Sequence, residues 1–374
     1  MPAVPHVSGH LLRLAGLAMA AGCLLAGCAT GPGTGAGRKY IFYPPPPAAP
    51  RVQHLASFGG GRNPNSVTGK FAEFVTGETA VTDPILKPYG LAMSGSQLYI
   101  CDTTARAVDM LDLEQLTMRK FAPAGNARLG MPISIAVEAD GSRYVSDTAR
   151  NQILHFGPDD QYLGALDGNT SGTNAARFTG LALADGKLYA TDINGHCVHV
   201  FDKASSRLLF TIPRNPLTDE SVEPGRLFIP VNVAVDSQGR IYVSDMAACR
   251  VKVFAADGTY LRSIGSQGDL PGQFARPKGL AVDRAGRVLV VDAASQTCQI
   301  FDAEGKSLLA FGEPEGAATE VAALNLPAAV CVDYDHLSLF QKDVAPGFVL
   351  EELIIISNQL GDNKISVFGL GHKD

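Results

Sequence analysis

The sequence has no tryptophan and no run of basic residues, and both absences exclude classes of protein. Its 374 residues contain 31 Lys and Arg against 37 Asp and Glu, which gives a formal net charge of −6. Without a cluster of cations to neutralise phosphates, a general role in binding nucleic acid is disfavoured. Repeats that need a Trp in each unit, as WD40 and kelch repeats do, are disfavoured as well.

A membrane-spanning run is also missing near the N-terminus. The apolar stretch at residues 14–27 is too short to cross a bilayer as a helix, and it ends in "LAGC", whose last residue is Cys28. This ending matches the bacterial lipoprotein signal, in which lipid is attached to the Cys. We therefore expect residues 1–27 to be a signal peptide and Cys28 to be the lipidated first residue of the mature chain. The alternative is an ordinary secretory peptide with an incidental Cys.

The residue after Cys28 and the segment that follows predict where the protein lies. Ala29 gives no inner-membrane retention signal, so we expect an outer-membrane anchor in the bacterial cell envelope. Residues 28–50 are rich in Gly, Thr and Pro, including "YPPPPAAP", and cannot bury enough apolar surface to fold alone. They read as a tether, with docking to a Pro-binding partner as the alternative. Residues 51–374 then form one domain.

Within this domain a short phrase recurs six times. A β-branched or aromatic run ends in an acidic or amide residue, and a second alternating run follows. The residues that end the first runs, separated by steps of 45 to 66, are Asp102, Asp147, Asp192, Asp245, Asp292 and Asn358. Each unit adds an earlier strand, such as "KPYGLAM" or "RPKGLAV", and a strand after the second run, such as "GTYLRSIG". Four antiparallel strands in each of six units predict an all-β fold, a six-bladed β-propeller.

The ends of the chain predict how the ring closes. The sixth unit stops at "ISVFGLGHKD" and lacks a fourth strand, whereas residues 52–59, "VQHLASFG", match the fourth-strand pattern of residues 258–265. We expect this N-terminal strand to pair with the last blade, which removes two exposed strand edges.

The repeat resembles the units of the NHL family of propellers. Its best copies are residues 230–265, "PVNVAVDSQGRIYVSDMAACRVKVFAADGTYLRSIG", and residues 277–312. The likeness covers about residues 52–368 and implies a six-bladed propeller, but it leaves the function open. With "YPPPP" and "NQLGDNKISVFG", the chain is similar to a lipoprotein subgroup of that family.

Five recurring carboxylates suggest chemistry at first sight. Each ends a strand just before a turn, where a carboxylate accepts hydrogen bonds from backbone N–H groups. Because they repeat in every blade, we interpret all five as structural turn acids: Asp102, Asp147, Asp192, Asp245 and Asp292.

Two enzyme families with six-bladed rings hold a metal in the central channel. Gluconolactonase-like lactonases use a Glu, an Asn and an Asp there, and peptide-amidating lyases use several His around zinc. The corresponding positions here offer only Asn232, too few for a catalytic metal. The sequence therefore predicts no catalytic residue, no metal and no cofactor. The rival hypothesis is a metal-dependent lactonase- or lyase-like enzyme with an unrecognised site.

One cluster outside the channel could bind zinc or copper. "NGHCVHV" holds His196, Cys197 and His199. The two imidazoles are an odd number of residues apart, so strand alternation sends them to opposite faces, and we expect no metal. Cys197 and Cys249 lie in the matching turns of neighbouring blades and are the one pair that could form a disulfide.

Unequal loops are the better guide to function, because rigid scaffolds place specificity there. Residues 60–87 and 212–228 should lie on one face, and residues 334–352 interrupt the last blade. The last segment either folds back over the closure blade or presents an aromatic patch. The candidate binding surface comprises Phe71, Phe74, Asp219, Glu220, Glu223, Arg226, Phe340 and Phe348. We predict a monomeric, lipid-anchored propeller that binds an unidentified envelope protein or small ligand.

Overall fold

The recurring β-branched and aromatic runs form short strands, in keeping with their conformational preference. The computed structural model describes residues 40–61, 83–167, 175–214, 225–313 and 320–373. Within these ranges the chain is a six-bladed β-propeller of antiparallel strands, four in each of five blades and five in the closing blade, which confirms the predicted fold. No helix in the same ranges combines the length and the apolar character needed to cross a bilayer.

The strands run in chain order. Those before and in blades 1 and 2 are β1 (Ile41–Tyr43), β2 (Val52–Phe58), β3 (Gly60–Gly61), β4 (Asp83–Pro84), β5 (Pro88–Ser94), β6 (Gln97–Asp102), β7 (Ala107–Asp112), β8 (Thr117–Phe121), β9 (Pro132–Val137), β10 (Arg143–Asp147), β11 (Gln152–Phe156) and β12 (Tyr162–Asp167). Those of blades 3 to 6 are β13 (Phe178–Ala184), β14 (Lys187–Asp192), β15 (Cys197–Asp202), β16 (Leu208–Ile212), β17 (Pro230–Val235), β18 (Ile241–Asp245), β19 (Arg250–Phe254), β20 (Tyr260–Ile264), β21 (Ser266–Gln267), β22 (Gln273–Phe274), β23 (Pro277–Val282), β24 (Val288–Asp292), β25 (Thr297–Phe301), β26 (Ser307–Phe311), β27 (Pro327–Asp333), β28 (Phe348–Asn358) and β29 (Ile365–Lys373).

Helical structure in the described residues is limited to short segments. There is one α-helical turn, α1 (Leu337–Phe340), and the 3-10 turns are Gly125–Ala127, Glu320–Ala322 and Gln341–Asp343. Blades 1 to 5 are formed by β5–β8, β9–β12, β13–β16, β17–β20 and β23–β26, and blade 6, which closes the ring, by β27, β28, β29, β2 and β1. Two small ribbons, β3 with β4 and β21 with β22, lie between blades and belong to none of them.

The ring closes through the N-terminal strand, as predicted. Strand β2 pairs antiparallel with β29, with Val52 opposite Leu370 and Phe58 opposite Ile365. Strand β1 then pairs with β2 and makes the closing blade five-stranded. The predicted tether of residues 28–50 is therefore too long, because its last part belongs to the propeller. Tyr43 is only 6% exposed and packs in the core.

Residues 334–352 fold back on the closing blade. Gln53 of β2, which is fully buried, donates from Nε2 to the carbonyl of Asp343 at 2.7 Å and accepts from the N–H of Ala345 at 3.0 Å. Phe348 is 5% exposed, and its ring centre lies 5.6 Å from that of Phe42. Phe348 is a core residue of β28 and not part of an exposed surface, which corrects its place in the predicted binding surface.

The innermost strands divide the six blades into two alternating sets of three. Blades 1, 3 and 5 carry Gly90, Gly180 and Gly279 at one position of β5, β13 and β23. A Cβ on any of these glycines would lie closer than 3.0 Å to backbone atoms of the next blade. Glycine is required because the backbones touch at this level.

The other three blade boundaries are closed by hydroxyl groups. Ser146, Ser244 and Ser357 of blades 2, 4 and 6 each donate to an inner-strand carbonyl of the following blade, at distances of 2.5–2.6 Å. The acceptors are Thr179, Lys278 and Tyr89. Glycine contacts and serine hydroxyl bonds therefore alternate around the ring, and the Thr179 hydroxyl adds a bond to the carbonyl of Pro230 at 3.3 Å across the boundary of blades 3 and 4. This alternation gives the channel a pseudo-threefold neck.

Candidate functional site at the channel mouth

The six inner strands all begin on the same face of the ring, called here the front face. In the odd-numbered blades the residue immediately before the inner strand is basic, and these three residues are Lys87, Arg177 and Arg276. In the even-numbered blades the same position is apolar, occupied by Met131, Ile229 and Leu326. The front mouth therefore carries three exposed cations in a pseudo-threefold arrangement.

The turn acids fix the backbone at these basic residues. The N–H groups of Lys87, Arg177 and Arg276 donate to the carboxylate of the same blade at distances of 2.8–3.2 Å. The acceptors are Asp102, Asp192 and Asp292. Each acid thus joins the end of the second strand to the start of the first.

The same carboxylates also fasten the turn that follows them. Asp292, for example, accepts from the N–H groups of Ala294 and Ser295 at 2.9 and 3.1 Å. Asp147 and Asp245 make corresponding bonds in the even-numbered blades. All five acids are at most 3% exposed. Their oxygens mainly accept from backbone N–H groups, and no ion pair among the described residues joins them to Lys87, Arg177 or Arg276.

A fourth cation reaches into the channel itself. Lys278, two residues after Arg276, places its Nζ 5.1 Å from the centre of the Tyr89 ring. Tyr89 belongs to blade 1 and Lys278 to blade 5, so the contact spans the width of blade 6. Blade 6 carries Ala328 and Ala329 at the matching positions, and such small side chains leave room for it.

The electrostatics of this position are unusual. Burial lowers the pKa of Lys278 to about 8, and the nearby charges of Arg276 and Lys87 lower it further in the same direction. Burial raises the pKa of the Tyr89 phenol, against an opposing effect of Arg276. No Asp or Glu in the described ranges forms an ion pair with Lys278. The channel mouth therefore concentrates positive charge without a carboxylate partner for its most buried cation.

The opposite mouth of the channel has a different character. A cavity of about 380 Å³ is lined there by aliphatic ends of the inner strands and by Arg284 and Tyr334. Its rim carboxylates, Asp236 and Asp283, are engaged with Arg240 and Arg287. The Arg284 guanidinium stacks over the Tyr334 ring at 4.0 Å, so it is already covered on one face.

Most of the predicted binding surface lies outside the described residues: Phe71, Phe74, Asp219, Glu220 and Glu223. Arg226 is described, and its guanidinium lies 5.0 Å from the centre of the Phe228 ring, which is 42% exposed. Phe340 is half-buried against the core beside Phe348.

The possible disulfide is not formed in the structure, where Cys197 and Cys249 are both free thiols. They do not occupy equivalent places. Cys249 lies at the left-handed turn position with φ 50°, which in blade 3 is held by His196 with φ 52°. Cys197 is the first residue of β15. The one-residue offset directs the Cys249 Sγ to the carbonyl of Ala275, at 3.5 Å.

The "NGHCVHV" segment divides as alternation requires. His196 turns away and its Nδ1 contacts the carbonyl oxygen of Phe228. Cys197 and His199, two residues apart, lie on one face of β15 and meet Asp192, with 3.4 Å from Sγ to Nε2 and 3.2 Å from Nε2 to Asp192 Oδ2. The sequence analysis placed His196 and His199 on opposite faces but did not consider Asp192 as a partner of Cys197 and His199. The cluster could have been predicted from the two-residue spacing of Cys197 and His199 and from the hairpin that places Asp192 opposite Cys197.

The cations of the channel mouth were also not predicted from the sequence, although their pattern is visible in the repeat. "KPYGL", "RFTGL" and "RPKGL" share a leading cation and a glycine, whereas "MPISI", "IPVNV" and "LPAAV" share neither. Averaging six copies hides a difference between odd and even copies. Asn232, the one possible metal ligand predicted for the channel, accepts from the N–H of Val233 at 2.8 Å.

Comparisons with known proteins agree with the fold. A family model described as a 6-bladed beta-propeller matches residues 227–313. No curated protein matches the sequence.

Solved structures with lyase and lactonase activities are among those similar to this chain. Virginiamycin B lyase from Staphylococcus aureus has a TM-score of 0.51 and 13% identity, covering 77% of this chain and 97% of that one. A gluconolactonase from Xanthomonas campestris has a TM-score of 0.55 and 15% identity, covering 90% and 99%. A protein of unknown function from Bacteroides thetaiotaomicron has a TM-score of 0.55 and 16% identity, covering 86% and 76%. At these identities the likeness shows the fold alone.

Proposed function

We propose that this protein is a ligand-binding propeller that holds a small anion, a carboxylate or a phosphate, at the front mouth of its channel. The observation that carries the proposal is Lys278, a half-buried ammonium that has cations and an aromatic ring around it and no carboxylate partner among the described residues. An anion would relieve the repulsion between Lys278, Arg276 and Lys87. It would also restore the ordinary preference of Lys278 for its charged form.

The side chains suit recognition of such a ligand. The two guanidiniums of Arg177 and Arg276 can each bind a carboxylate or phosphate through two parallel N–H donors, and the two ammoniums add charge. Their backbone positions are fixed by the turn acids before any ligand arrives, which lowers the ordering cost of binding.

The residue types of the channel favour binding over metal-dependent catalysis. A hydrolytic or eliminating metal centre in a channel needs about three ligands and an open position. Among the described inner-strand positions, the residues at the neck are Tyr, Thr, Lys, Ser, Asn, Gly and the apolar Ile, Val and Ala. The lyase and gluconolactonase activities of the similar structures remain the alternative function, carried by the shared fold alone.

We further propose that the propeller acts in the bacterial envelope as an NHL-type lipoprotein. The support is the "LAGC" ending with Cys28, Ala29 after it, and the NHL-like pattern of residues 230–265. On the outer membrane, the lipid on Cys28 would anchor the protein, and the front mouth would take its anion from the surrounding compartment.

Calorimetric titration of the purified protein tests the proposed function. The probes are inorganic phosphate, citrate and acetate, with glucose as the neutral comparison, at fixed ionic strength. We expect at least one anion to bind with saturation, and Arg276→Ala to weaken it by about tenfold or more, since a charged hydrogen bond contributes about 1.5–3 kcal/mol. Arg284→Ala, on the rear mouth, is the matched control.

Two results would contradict the proposal. One is the absence of saturable binding by any of the three anions. The other is hydrolysis of gluconolactone or cleavage of virginiamycin B by the wild-type protein that Arg276→Ala leaves unchanged, which would establish the enzymatic alternative.

A further inference from the structure

Blade 3 carries a cluster of three potential metal ligands on the front face. Asp192 Oδ2, Cys197 Sγ and His199 Nε2 all lie within 4.8 Å of one another. His199 and Asp192 are 6% and 3% exposed, and Cys197 is half-buried, so the cluster opens to solvent on the side of the thiol. In the described part of the chain this is the one group of three such residues.

The local fold brings these atoms together. Asp192 ends β14 and pairs directly with Cys197, the first residue of β15, while His199 follows on the same face two residues later. Gly195 in the connecting turn keeps the space open, because a Cβ there would collide with Asp192 Oδ2 and come within 3.2 Å of Cys197 Sγ. A larger residue at position 195 would close the cluster.

The separations agree with tetrahedral zinc coordination. Zinc bonds of about 2.0–2.1 Å to nitrogen or oxygen and about 2.3 Å to sulfur place neighbouring ligand atoms roughly 3.3–3.6 Å apart. The distance from Cys197 Sγ to His199 Nε2 is 3.4 Å, and that from His199 Nε2 to Asp192 Oδ2 is 3.2 Å. A metal ion could therefore bind with small side-chain movements.

The neighbouring blade shows what the same positions look like when they are purely structural. In blade 4 the three residues are Asp245, Arg250 and Lys252, and the Lys252 ammonium lies 3.9 Å from the Asp245 carboxylate. Blade 3 replaces that ammonium with an imidazole whose other nitrogen, Nδ1, is buried without a hydrogen-bond partner. A buried imidazole with one nitrogen that lacks a hydrogen-bond partner is unfavourable if the side chain has only a structural role.

We propose that Asp192, Cys197 and His199 form a zinc site with three protein ligands and one coordination position open to solvent. Thiolate, imidazole and carboxylate are the donor set that zinc takes in proteins, and a three-ligand site leaves its fourth position to water or an incoming ligand. The bound ion would join the turn after β14 to β15, beside the backbone of Arg177 that Asp192 also holds. The proposal does not depend on anion binding at the channel mouth.

Metal titration of the full-length chain, purified and stripped with a chelator, tests the site. We expect one equivalent of Zn²⁺ in a competition assay with a chromophoric chelator. Co²⁺ in its place should show a thiolate-to-metal charge-transfer band. Cys197→Ser and His199→Lys should each weaken Zn²⁺ binding by at least about 100-fold and abolish the band.

The controls separate metal binding from folding. His199→Lys reproduces the arrangement of Lys252 and Asp245, so it should keep the fold, as judged by circular dichroism, while losing the metal. Cys249→Ser, a thiol in the next blade on the same face, should bind Zn²⁺ like the wild type. Failure of the wild type to bind one equivalent, or wild-type affinity in either Cys197→Ser or His199→Lys, would overturn the proposal.

Discussion

The Nζ of Lys278 lies 5.1 Å from the centre of the Tyr89 ring, although the two residues belong to blades 5 and 1 and are 189 positions apart in the sequence. A cation near an aromatic face gains about 0.5–2 kcal/mol, whereas burial and the charges of Arg276 and Lys87 lower the pKa of Lys278. The protein keeps a charge that its own fold disfavours. Such a group is expected where an external anion completes the site.

The first prediction concerns pH and anion affinity. Because the pKa of Lys278 is lowered to about 8, its ammonium is lost as pH rises through that value. Affinity, corrected for protonation of the probe itself, should therefore decline above about pH 8 and stay level between pH 6 and 7.5. Titrations of the best-binding probe across this range, with the wild type and Lys278→Met, measure the effect. The variant should bind at least about tenfold more weakly at pH 7 and lack the decline near pH 8.

The substitution Lys278→Met should weaken anion binding but raise the stability of the ligand-free fold. The folded pKa of Lys278 is below that of the unfolded chain, so the unfolded state holds more protons between about pH 8 and 10.5 and ligand-free stability rises with pH there. At pH 7 Lys278→Met should unfold at a higher temperature than the wild type. A variant that loses both stability and binding would show that Lys278 is a structural residue.

The second prediction concerns the neck of the channel. Gly180→Ala should destabilise the fold by about 1–3 kcal/mol, because the added Cβ would collide with the backbone of Asn232 in the next blade. Ala329→Gly is the matched control, since Ala329 holds the same strand position in blade 6, where a Cβ is accommodated; it should cost under about 1 kcal/mol. Urea unfolding curves of the two variants and the wild type measure both changes in stability. Equal losses in the two variants would mean that the backbone contact at Gly180 contributes nothing special.

The blades could be predicted from the sequence because each repeat is local. The channel mouth could not be predicted, because its residues come from distant repeats. Strand alternation and the recurring turn acids predicted the blades, and the unmatched segment at residues 52–59 predicted the closure that β2 and β29 form. Lys278 and Tyr89 meet only after six units close into a ring. Sequence spacing alone could not reveal that contact.

Two differences between the sequence-based expectations and the structure depend on only a few residues. Cys197 and Cys249 differ by one position within their turns, and that difference changes the direction of the thiol. Tyr43 follows a disordered-looking composition, yet three residues, "IFY", suffice to pair with the closing strand. Local composition measures the average character of a segment, whereas pairing depends on a few side chains.

The third prediction concerns the pH dependence of stability that His54 in the closing strand confers. His54 of β2 is 8% exposed, and burial lowers its pKa to about 4. The unfolded chain therefore takes up a proton near pH 6.5 that the folded chain refuses until about pH 4, so stability falls as pH falls through this window. The loss should be on the order of 3 kcal/mol.

His54→Gln tests this prediction by removing the titrating group. Unfolding free energies at pH 7.5 and 4.5 should differ less in the variant than in the wild type by that amount. The variant is expected to be somewhat less stable at pH 7.5, because the ring packs edge-on against Phe368 with 5.3 Å between ring centres. An unchanged difference between the two pH values would show that His54 is not the group responsible.

The fourth prediction concerns membrane attachment. Cys28→Ser should abolish incorporation of labelled palmitate and release the protein from the membrane fraction, since the acyl chains are the proposed anchor. Cys23→Ser, in the same apolar stretch but without "LAG" before it, should be labelled like the wild type. Continued labelling of Cys28→Ser would show that Cys28 is not the lipidated residue.

The fifth prediction concerns the start of the propeller. The Tyr43 ring packs 6.1 Å from Phe311 and 6.4 Å from Phe368, measured between ring centres, so it joins blade 5 to the closing blade. Tyr43→Ala should lower the free energy of unfolding by about 3 kcal/mol, as expected for removal of a buried aromatic side chain. Arg51→Ala, an exposed position in the same segment, should change it by less than about 0.5 kcal/mol. If both variants unfold like the wild type, residues 41–43 contribute nothing to the closing blade and the tether extends to residue 50.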